Sequence, residues 1–354
     1  MTGRGRGRSP EVEPFLRGCA WPAAPGVPYP RFDPRDASRL PADTWQCAQI
    51  PAGVRLEVVG DASALELDYV TDSDDLGYRG AGAGTTFALW RGDVQVDEQP
   101  AVLGSGTVTL TFGAPDTPAD TPAVVYLPEG MRPEVLALRP VGGSIEPAPA
   151  APRWVAYGDS LLEGWVASAP SKAWGVVAAR TQGLDLVNLG YAGSARGEIP
   201  CAEAVAGLAA EVISISHGTN CWTRIPHSAG MMLETTRAFL DIVRQGHPQT
   251  PVVVASPVIR PDAEATPNRL GATLADLRAA MEEAVLDRID GGDEAMVLVP
   301  GAAVITAAHL ADGIHPGDDG HARLAEVFGS AVAAARRAST TGSTTGSVRA
   351  GDRS

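Results

Sequence analysis

Hydrophobic and polar residues alternate along the first part of the chain, from about residue 45 to 145. Segments 54–58, 65–69 and 108–112 carry an apolar residue at every second position, which is typical of strands with one buried and one exposed face. Turn residues separate these segments from further strand candidates, which are residues 86–90, 94–96, 123–127 and 135–138. Seven or eight short strands without a convincing helix predict an all-β sandwich, most plausibly a jelly roll.

The pattern changes after the proline-rich segment 146–152. Its prolines lack backbone donors, so the segment cannot lie inside a sheet, and we expect a short stiff linker. Beyond it, apolar runs alternate with helix-length stretches, and the runs are residues 154–157, 184–189, 212–215, 252–255 and 296–299. This alternation indicates βα units and a parallel sheet. Two apolar stripes should pack on that sheet, namely Leu270, Leu274, Leu277, Met281 and Val285 in one helix and Leu324, Phe328 and Val332 in another.

These patterns divide the 354 residues into two domains, as expected for a chain longer than one hydrophobic core usually supports. Residues 1–20 are expected to be a disordered or extended start, and residues 21–148 the β-sandwich. Residues 151–338 should form the α/β domain. The tail 339–354, which contains the repeat STTGSTTGS, is expected to be disordered.

Composition excludes several classes of function. The net charge of −14 disfavours nucleic acid as a partner, and the only basic cluster is RGRGR at residues 4–8. No apolar run is long enough to span a bilayer, and no leader-like apolar segment follows the start, so neither membrane nor secretion is expected. The four cysteines are scattered without a C-x-x-C pair, which predicts reduced thiols in a cytoplasmic protein and no metal or other cofactor.

The first chemical motif is Gly158-Asp159-Ser160, directly after an apolar run. Open α/β sheets bind ligands at the carboxyl ends of their strands, where this serine should lie. Taken alone, Ser160 is either a helix N-cap or a nucleophile.

Further polar residues follow the next apolar runs. Gly193 lies in a glycine-containing loop in which the backbone can approach a ligand. Asn220, in the sequence Gly218-Thr219-Asn220, either caps a helix or donates to a developing oxyanion. His217 is either a structural residue or a pocket group.

The fourth stretch contains Asp312, three residues before His315. In a tight turn this spacing lets Asp312 accept a hydrogen bond from one imidazole nitrogen while the other nitrogen points outward as a base. His321 is expected in the first turn of the last helix.

In this order, Gly158-Asp159-Ser160, Gly193, Gly218-x-Asn220 and Asp312-x-x-His315 resemble the four motif blocks of the SGNH hydrolases, also called the GDSL family. The resemblance covers about residues 151–336 and implies a flavodoxin-like three-layer α/β/α fold. It implies that Ser160 is the nucleophile, His315 the general base and then acid, and Asp312 the orienting residue. The implied oxyanion hole consists of the Ser160 N–H, the Gly193 N–H and the Asn220 amide. Cys221 departs from the family pattern, in which an aspartate often follows the asparagine.

The β region in front of such a domain resembles the arrangement of some carbohydrate esterases and of actinobacterial acyltransferases that tailor polyketides. The leading hypothesis is a serine esterase that cleaves a small-molecule or glycan acyl ester. The alternative is an acyltransferase that passes the acyl group to an alcohol. A third hypothesis is a non-catalytic carbohydrate-binding protein. The Gly-x-Gly-x-Gly of residues 80–84 lacks the spacing of a dinucleotide fingerprint and is expected to be a loop.

Overall fold

Two kinds of β-sheet divide the chain at about residue 150. The computed structural model describes residues 8–73, 84–113 and 121–346. All strands before residue 150 pair in an antiparallel manner, and those strands are β1 (Leu16–Arg17), β2 (Arg55–Gly60), β3 (Ala64–Thr71), β4 (Thr86–Arg91), β5 (Val94–Pro100), β6 (Gly104–Thr111), β7 (Ala123–Tyr126), β8 (Glu134–Val141) and β9 (Ile145–Pro147).

These strands form two facing sheets. One has the order β1-β2-β7-β4-β5, with β9 also paired to β2, and the other has the order β6-β3-β8. Along β3, Leu65, Leu67 and Tyr69 are buried against Leu56 and Phe87 of the opposite sheet. The alternation seen in the sequence therefore marks the inner faces of a sandwich.

After residue 150 the chain builds a parallel sheet of order β11-β10-β12-β13-β14. Its strands are β10 (Arg153–Gly158), β11 (Asp185–Gly190), β12 (Val212–Ser216), β13 (Val252–Ala255) and β14 (Met296–Val299). The helices of the chain are α1 (Ala42–Ala48), α2 (Ser160–Glu163), α3 (Trp174–Gln182), α4 (Ile199–Gly207), α5 (Ala229–Gly246), α6 (Leu274–Asp290), α7 (Asp318–Leu324) and α8 (Ser330–Gly346).

Helices cover both faces of this sheet. Trp154 and Ala156 of β10 share a core with α3, α7 and α8, whereas Val155 and Tyr157 share the opposite core with α4, α5 and α6. Three layers with this strand order confirm the predicted flavodoxin-like α/β/α class. No helix in the described ranges is long and apolar enough to cross a bilayer.

The N-terminal segment, residues 18–50, differs from the expectation that the sandwich begins at residue 21. Phe32, Leu40 and Ala48 are buried in the core that lies on one face of the parallel sheet. Of the two alternatives expected for residues 1–20, the described part follows the extended one, because Val12 is fully buried and β1 pairs with β2. The reason is apolar burial, which outweighs the lack of regular periodicity in this stretch.

Three other boundaries differ from the sequence expectations. Pro147, within the expected linker, pairs opposite Val58 in an edge strand, a position that tolerates the missing donor. Helix α6 begins directly after its N-cap Thr273, which forms a capping box with Asp276, so Leu270 stays outside the apolar stripe and is exposed.

The last helix, α8, runs to Gly346 rather than ending at Ser339, since extending a formed helix fixes one residue for each hydrogen bond gained. The remainder of the tail, most of the RGRGR cluster and residues 80–83 of the glycine motif lie outside the described residues.

Candidate active site

Three neighbouring strands of the parallel sheet end level with one another. Gly158, the last residue of β10, pairs with Gly190 of β11 on one side and with Ser216 of β12 on the other. The loops that follow these strands therefore meet at one edge, where the strand order reverses. Ser160, Gly193 and Asn220 lie on these loops.

Ser160 is the first residue of α2, and the N-cap of that helix is Asp159. The Asp159 carboxylate accepts a hydrogen bond from the Leu161 N–H at 3.0 Å, and the Asp159 N–H donates to the Ser216 carbonyl at 3.2 Å. Because Asp159 caps the helix, the Ser160 hydroxyl is not used as a cap. It lies at the strand end, where the residue is 2% exposed.

His315 connects Ser160 to Asp312. Its Nε2 lies 3.0 Å from the Ser160 Oγ, and its Nδ1 lies 2.7 Å from the Asp312 Oδ2. The other oxygen of Asp312 accepts hydrogen bonds from the N–H groups of Ile314 and His315, at 2.9 and 2.7 Å. These bonds fix the carboxylate and the imidazole in one tight turn, so the turn itself orients the histidine towards the serine.

The pKa values of the pair suit a base that is neutral near pH 7. Burial lowers the pKa of the His315 imidazole, and the hydrogen bond and charge of Asp312 offset this lowering only in part. Burial acts to raise the pKa of Asp312, but the hydrogen bonds from His315 and Ile314 outweigh it and hold that pKa below its usual range. The result is an ionised carboxylate beside a neutral imidazole.

Trp165 lies beside this pair, with its ring centroid 5.6 Å from that of His315. The Trp165 N–H donates to the Ser160 carbonyl at 2.9 Å, and its own carbonyl lies 3.2 Å from the Nε2 of His321. His321 lies in the first turn of α7, which continues through residues 325–329 into α8, so it is in the first turn of the C-terminal helical stretch as predicted. Its Nδ1 accepts a hydrogen bond from the Trp174 N–H at 3.3 Å, so this buried histidine supports the position of Trp165 beside His315.

Gly193 has a φ of +69°, a backbone conformation that favours glycine. The preceding N–H groups of Gly190, Tyr191 and Ala192 donate to Asn188, Gly158 and Glu163. Within the part of the chain that the structure describes, the Gly193 N–H has no hydrogen-bond partner.

Asn220 belongs to the short 3-10 turn Thr219–Trp222, whose start makes no side-chain cap hydrogen bond. Its Nδ2 donates to the Ala195 carbonyl at 3.3 Å, which uses one of the two amide hydrogens and joins the loop after β12 to the loop after β11. Gly218, which starts the turn, has a φ of +133°, and a side chain there would collide with Pro257. The amide is thus buried at the sheet edge with one hydrogen left to donate.

His217 stands apart from the Ser160 cluster. Its ring packs against those of Tyr157 and Phe239, at 5.4 and 6.0 Å between centroids. Burial lowers its pKa to about 3, so the ring is neutral, and neither ring nitrogen has a hydrogen-bond partner among the described residues. Cys221 is also fully buried, so the departure from the family pattern lies in the interior.

Sequence reasoning missed three buried charged residues behind these loops. Glu163 accepts a hydrogen bond from the Ala192 N–H at 2.9 Å and pairs with Arg31 at 3.3 Å. Arg196 donates to the Gly193 carbonyl at 3.2 Å. Glu163 follows two leucines, and a charged residue in an apolar run is the one local sign that could have drawn attention to it. In the described ranges, no three His, Cys, Asp or Glu side chains are grouped to hold a metal ion.

Solved structures share this fold over both sheet regions. A salicylyl-acyltransferase, SsfX3, from a tetracycline biosynthetic pathway is 22% identical, with a TM-score of 0.77 over 96% of this chain and 99% of that one. A proposed GDSL-like lipase from Bacteroides ovatus ATCC 8483 is 19% identical, with a TM-score of 0.72 over 91% and 96%. A family two carbohydrate esterase from Clostridium thermocellum, in complex with cellohexaose, is 14% identical, with a TM-score of 0.56 over 79% and 90%.

No functionally curated protein matches the sequence. The profile of the GDSL-like Lipase/Acylhydrolase family, however, matches residues 152–333, just over half of the chain. This range contains all the motif residues and confirms the resemblance found in the sequence. The chain belongs to the GDSL-like Lipase/Acylhydrolase family.

Proposed function

We propose that this protein cleaves a carboxylic ester through an acyl-enzyme on Ser160, with His315 as the base and Asp312 as the residue that orients it. The observation that carries the proposal is the continuous hydrogen-bonded chain from the Asp312 carboxylate through the imidazole to the Ser160 hydroxyl. Such a chain activates a hydroxyl that is otherwise a weak nucleophile.

In the first half of the reaction, the Ser160 Oγ attacks the ester carbonyl while His315 accepts the hydroxyl proton. The carbonyl oxygen then carries negative charge, for which the Ser160 N–H, the Gly193 N–H and the Asn220 amide are the proposed donors. Collapse of this intermediate breaks the ester bond, and the departing alcohol takes the proton from His315. In the second half, water repeats the same steps, and the acid leaves with Ser160 restored.

The substrate we propose is an acyl ester of a small molecule or a glycan, and the sandwich contributes to substrate choice or covers the crevice. An alcohol in place of water would make the same acyl-enzyme a transferase. The fold similarity to a salicylyl-acyltransferase is the reason to test this second function with alcohols.

We also propose a cytoplasmic location. All four cysteines are unpaired, and Cys201 and Cys221 are buried, as in proteins of reducing compartments.

The test uses a fluorophosphonate probe, which reacts with activated serines, followed by mass spectrometry of the labelled peptide. Wild-type protein should be labelled at Ser160, and Ser160→Ala should abolish labelling and lower kcat for a short-chain ester by about 10⁶-fold. Ser216→Ala is the matched control, because the buried Ser216 hydroxyl ends the neighbouring strand and has no hydrogen-bond partner among the described residues. Labelling of another serine in the wild type would refute the assignment.

An acyl-ester panel then separates the two functions. Each ester is incubated with and without a series of alcohols, and both the free acid and the new ester are quantified. Free acid as the main product at all alcohol concentrations supports the esterase. A new ester that outcompetes hydrolysis at millimolar alcohol, in about 55 M water, identifies an acyltransferase.

A further inference from the structure

Hydrogen bonds to neighbouring elements hold the loop that carries Gly193. We call residues 190–193 the Gly193 loop. Its first three N–H groups donate to Asn188 at 2.8 Å, Gly158 at 2.9 Å and Glu163 at 2.9 Å. These bonds fix the loop to β10 and α2, and they leave the Gly193 N–H as its available donor.

Two residues of the N-terminal segment contact the carbonyls of this loop. The Cys47 thiol donates to the Ala192 carbonyl, with 3.2 Å between Sγ and O. The buried Arg31 guanidinium donates to the Gly190 carbonyl, and the Tyr191 hydroxyl donates to the Arg31 carbonyl at 2.6 Å. Both contacts join residues more than 140 positions apart in the chain.

A third contact reaches the other side of Gly193. Arg196 donates to the Gly193 carbonyl at 3.2 Å, and its second terminal nitrogen lies 3.0 and 3.1 Å from the two oxygens of Asp43 in α1. Arg196 is buried, whereas the Asp43 side chain is 43% exposed. Asp43 thus braces Arg196, and Arg196 braces the peptide that follows Gly193.

The Cys47 contact restricts the direction in which the Gly193 N–H points. The Ala192 carbonyl and the Gly193 N–H belong to one planar trans peptide, in which the two groups point in opposite directions. A donor fixed on that carbonyl therefore fixes the direction of the N–H, and the hydrogen bond also polarises the N–H as a donor. Burial raises the pKa of Cys47 to about 12, so the thiol keeps its proton near pH 7.

We propose that Cys47 is a positioning residue that aims the Gly193 N–H at the developing oxyanion, with Asp43 bracing the same loop through Arg196. The inference rests on the proposed function and adds a positioning residue that lies between β1 and β2 in the chain. No atom of Cys47 reacts. Its contribution is to restrict the peptide plane, and a donor misplaced by about 1 Å can cost up to 10²-fold in rate.

The experiment measures kcat and KM of the full-length protein with a short-chain activated ester, and the rate of fluorophosphonate labelling. Cys47→Ala should lower kcat about tenfold at nearly constant KM. Cys47→Ser, which restores a donor, should recover most of the loss. Cys19→Ala is the matched control, since Cys19 belongs to the same segment but packs against the sandwich core. Asp43→Asn should lower kcat by a smaller factor, and Asp36→Asn, at an exposed ion pair elsewhere in the segment, should leave it unchanged.

Thermal unfolding of each variant separates positioning from a loss of folded protein. A fall in kcat with an unchanged melting temperature and with rescue by serine supports the proposal. If Cys47→Ala keeps kcat within twofold of wild type, or if Cys19→Ala causes the same loss, Cys47 is not a positioning residue. Wild-type protein that labels slowly or at another serine would instead overturn the proposed function, so the two failures are distinguishable.

Discussion

The turn after β10, residues 158–160, and the turn before α7, residues 310–316, each contain an aspartate linked to Ser160, one as its neighbour in sequence and the other through His315, but the two aspartates lie in opposite environments. Asp159 is 5% exposed, and burial raises its pKa to about 6. The Asp312 side chain is 41% exposed, and hydrogen bonds hold its pKa below the usual range. Near pH 5 the Asp159 carboxyl is therefore mostly protonated and the Asp312 carboxyl is ionised, because one is buried and the other is hydrogen-bonded at the surface.

The hydrogen-bond partners of the two aspartates differ in kind. The Asp159 carboxylate accepts from the Leu161 N–H, and the Asp159 N–H donates to the Ser216 carbonyl, so Asp159 joins the turn after β10 to the end of β12. Asp312 accepts from the His315 ring as well as from the backbone. The comparison indicates that Asp312 acts on the base, whereas Asp159 holds the loops together.

The largest effect that tests this comparison is expected from Asp312→Asn. The amide cannot stabilise the imidazolium and can select the wrong tautomer of His315, so kcat should fall by about 10⁴-fold. The measurement is ester turnover under saturating substrate. Asp318→Asn is the control, because Asp318 lies in the adjoining helix α7. Its carboxylate accepts hydrogen bonds from Ser168 and Lys172 and does not contact His315. Equal losses in both variants would show that the turn, rather than the pair, had been damaged.

Asn220→Ala extends the comparison to the loop after β12, which follows Ser216, the residue whose carbonyl accepts the Asp159 N–H. Removal of one oxyanion donor should lower kcat by about 10²–10³-fold without unfolding the protein. Circular dichroism and kcat are measured on the same preparation. An unchanged kcat would leave the amide with only its bond to the Ala195 carbonyl.

The pH dependence of kcat/KM should show which aspartate governs the base. His315 must be neutral to accept the serine proton, so activity falls as the pH drops through its pKa. Because that pKa lies below 6.5, the acid limb should have its midpoint below pH 6.5. In Asp312→Asn the limb should move to still lower pH, because Asp312 raises the His315 pKa. A midpoint above pH 6.5 in the wild type would contradict this assignment.

The smallest effect on activity is expected from Asp159→Asn, since asparagine also caps helices well. We expect kcat to change by less than about tenfold and stability to change with pH. The pKa of Asp159 is raised from 3.8 to about 6 in the folded state, so wild-type stability falls as the pH rises through this window. The asparagine variant lacks this loss, on the order of 3 kcal/mol. Urea unfolding at pH 4.5 and 7 captures about 2 kcal/mol of this loss, and parallel pH dependence in both proteins would argue against a raised pKa.

The sequence was informative where structure is local or periodic. All five parallel strands coincide with the predicted apolar runs. Asp312 and His315 are close in sequence as well as in space. No periodic or local pattern marks the contacts of Cys47 with Ala192 and of Arg31 with Gly190. In each contact the two residues are more than 140 positions apart in the chain. Periodicity reports which face of an element is buried, but it does not report which distant element covers it.

The burial of the N-terminal segment against the parallel sheet also has a consequence for the order of folding during synthesis. The carbonyl that Cys47 contacts belongs to a residue 145 positions later in the chain. At a translation rate of about 5–20 residues per second, this partner leaves the ribosome roughly 7–30 seconds afterwards. During that interval the sandwich can form, while Phe32, Leu40 and Ala48 still lack the core they will join. The nascent chain therefore exposes these three apolar side chains until the parallel sheet is complete, and exposed apolar surface of this kind is what chaperones bind.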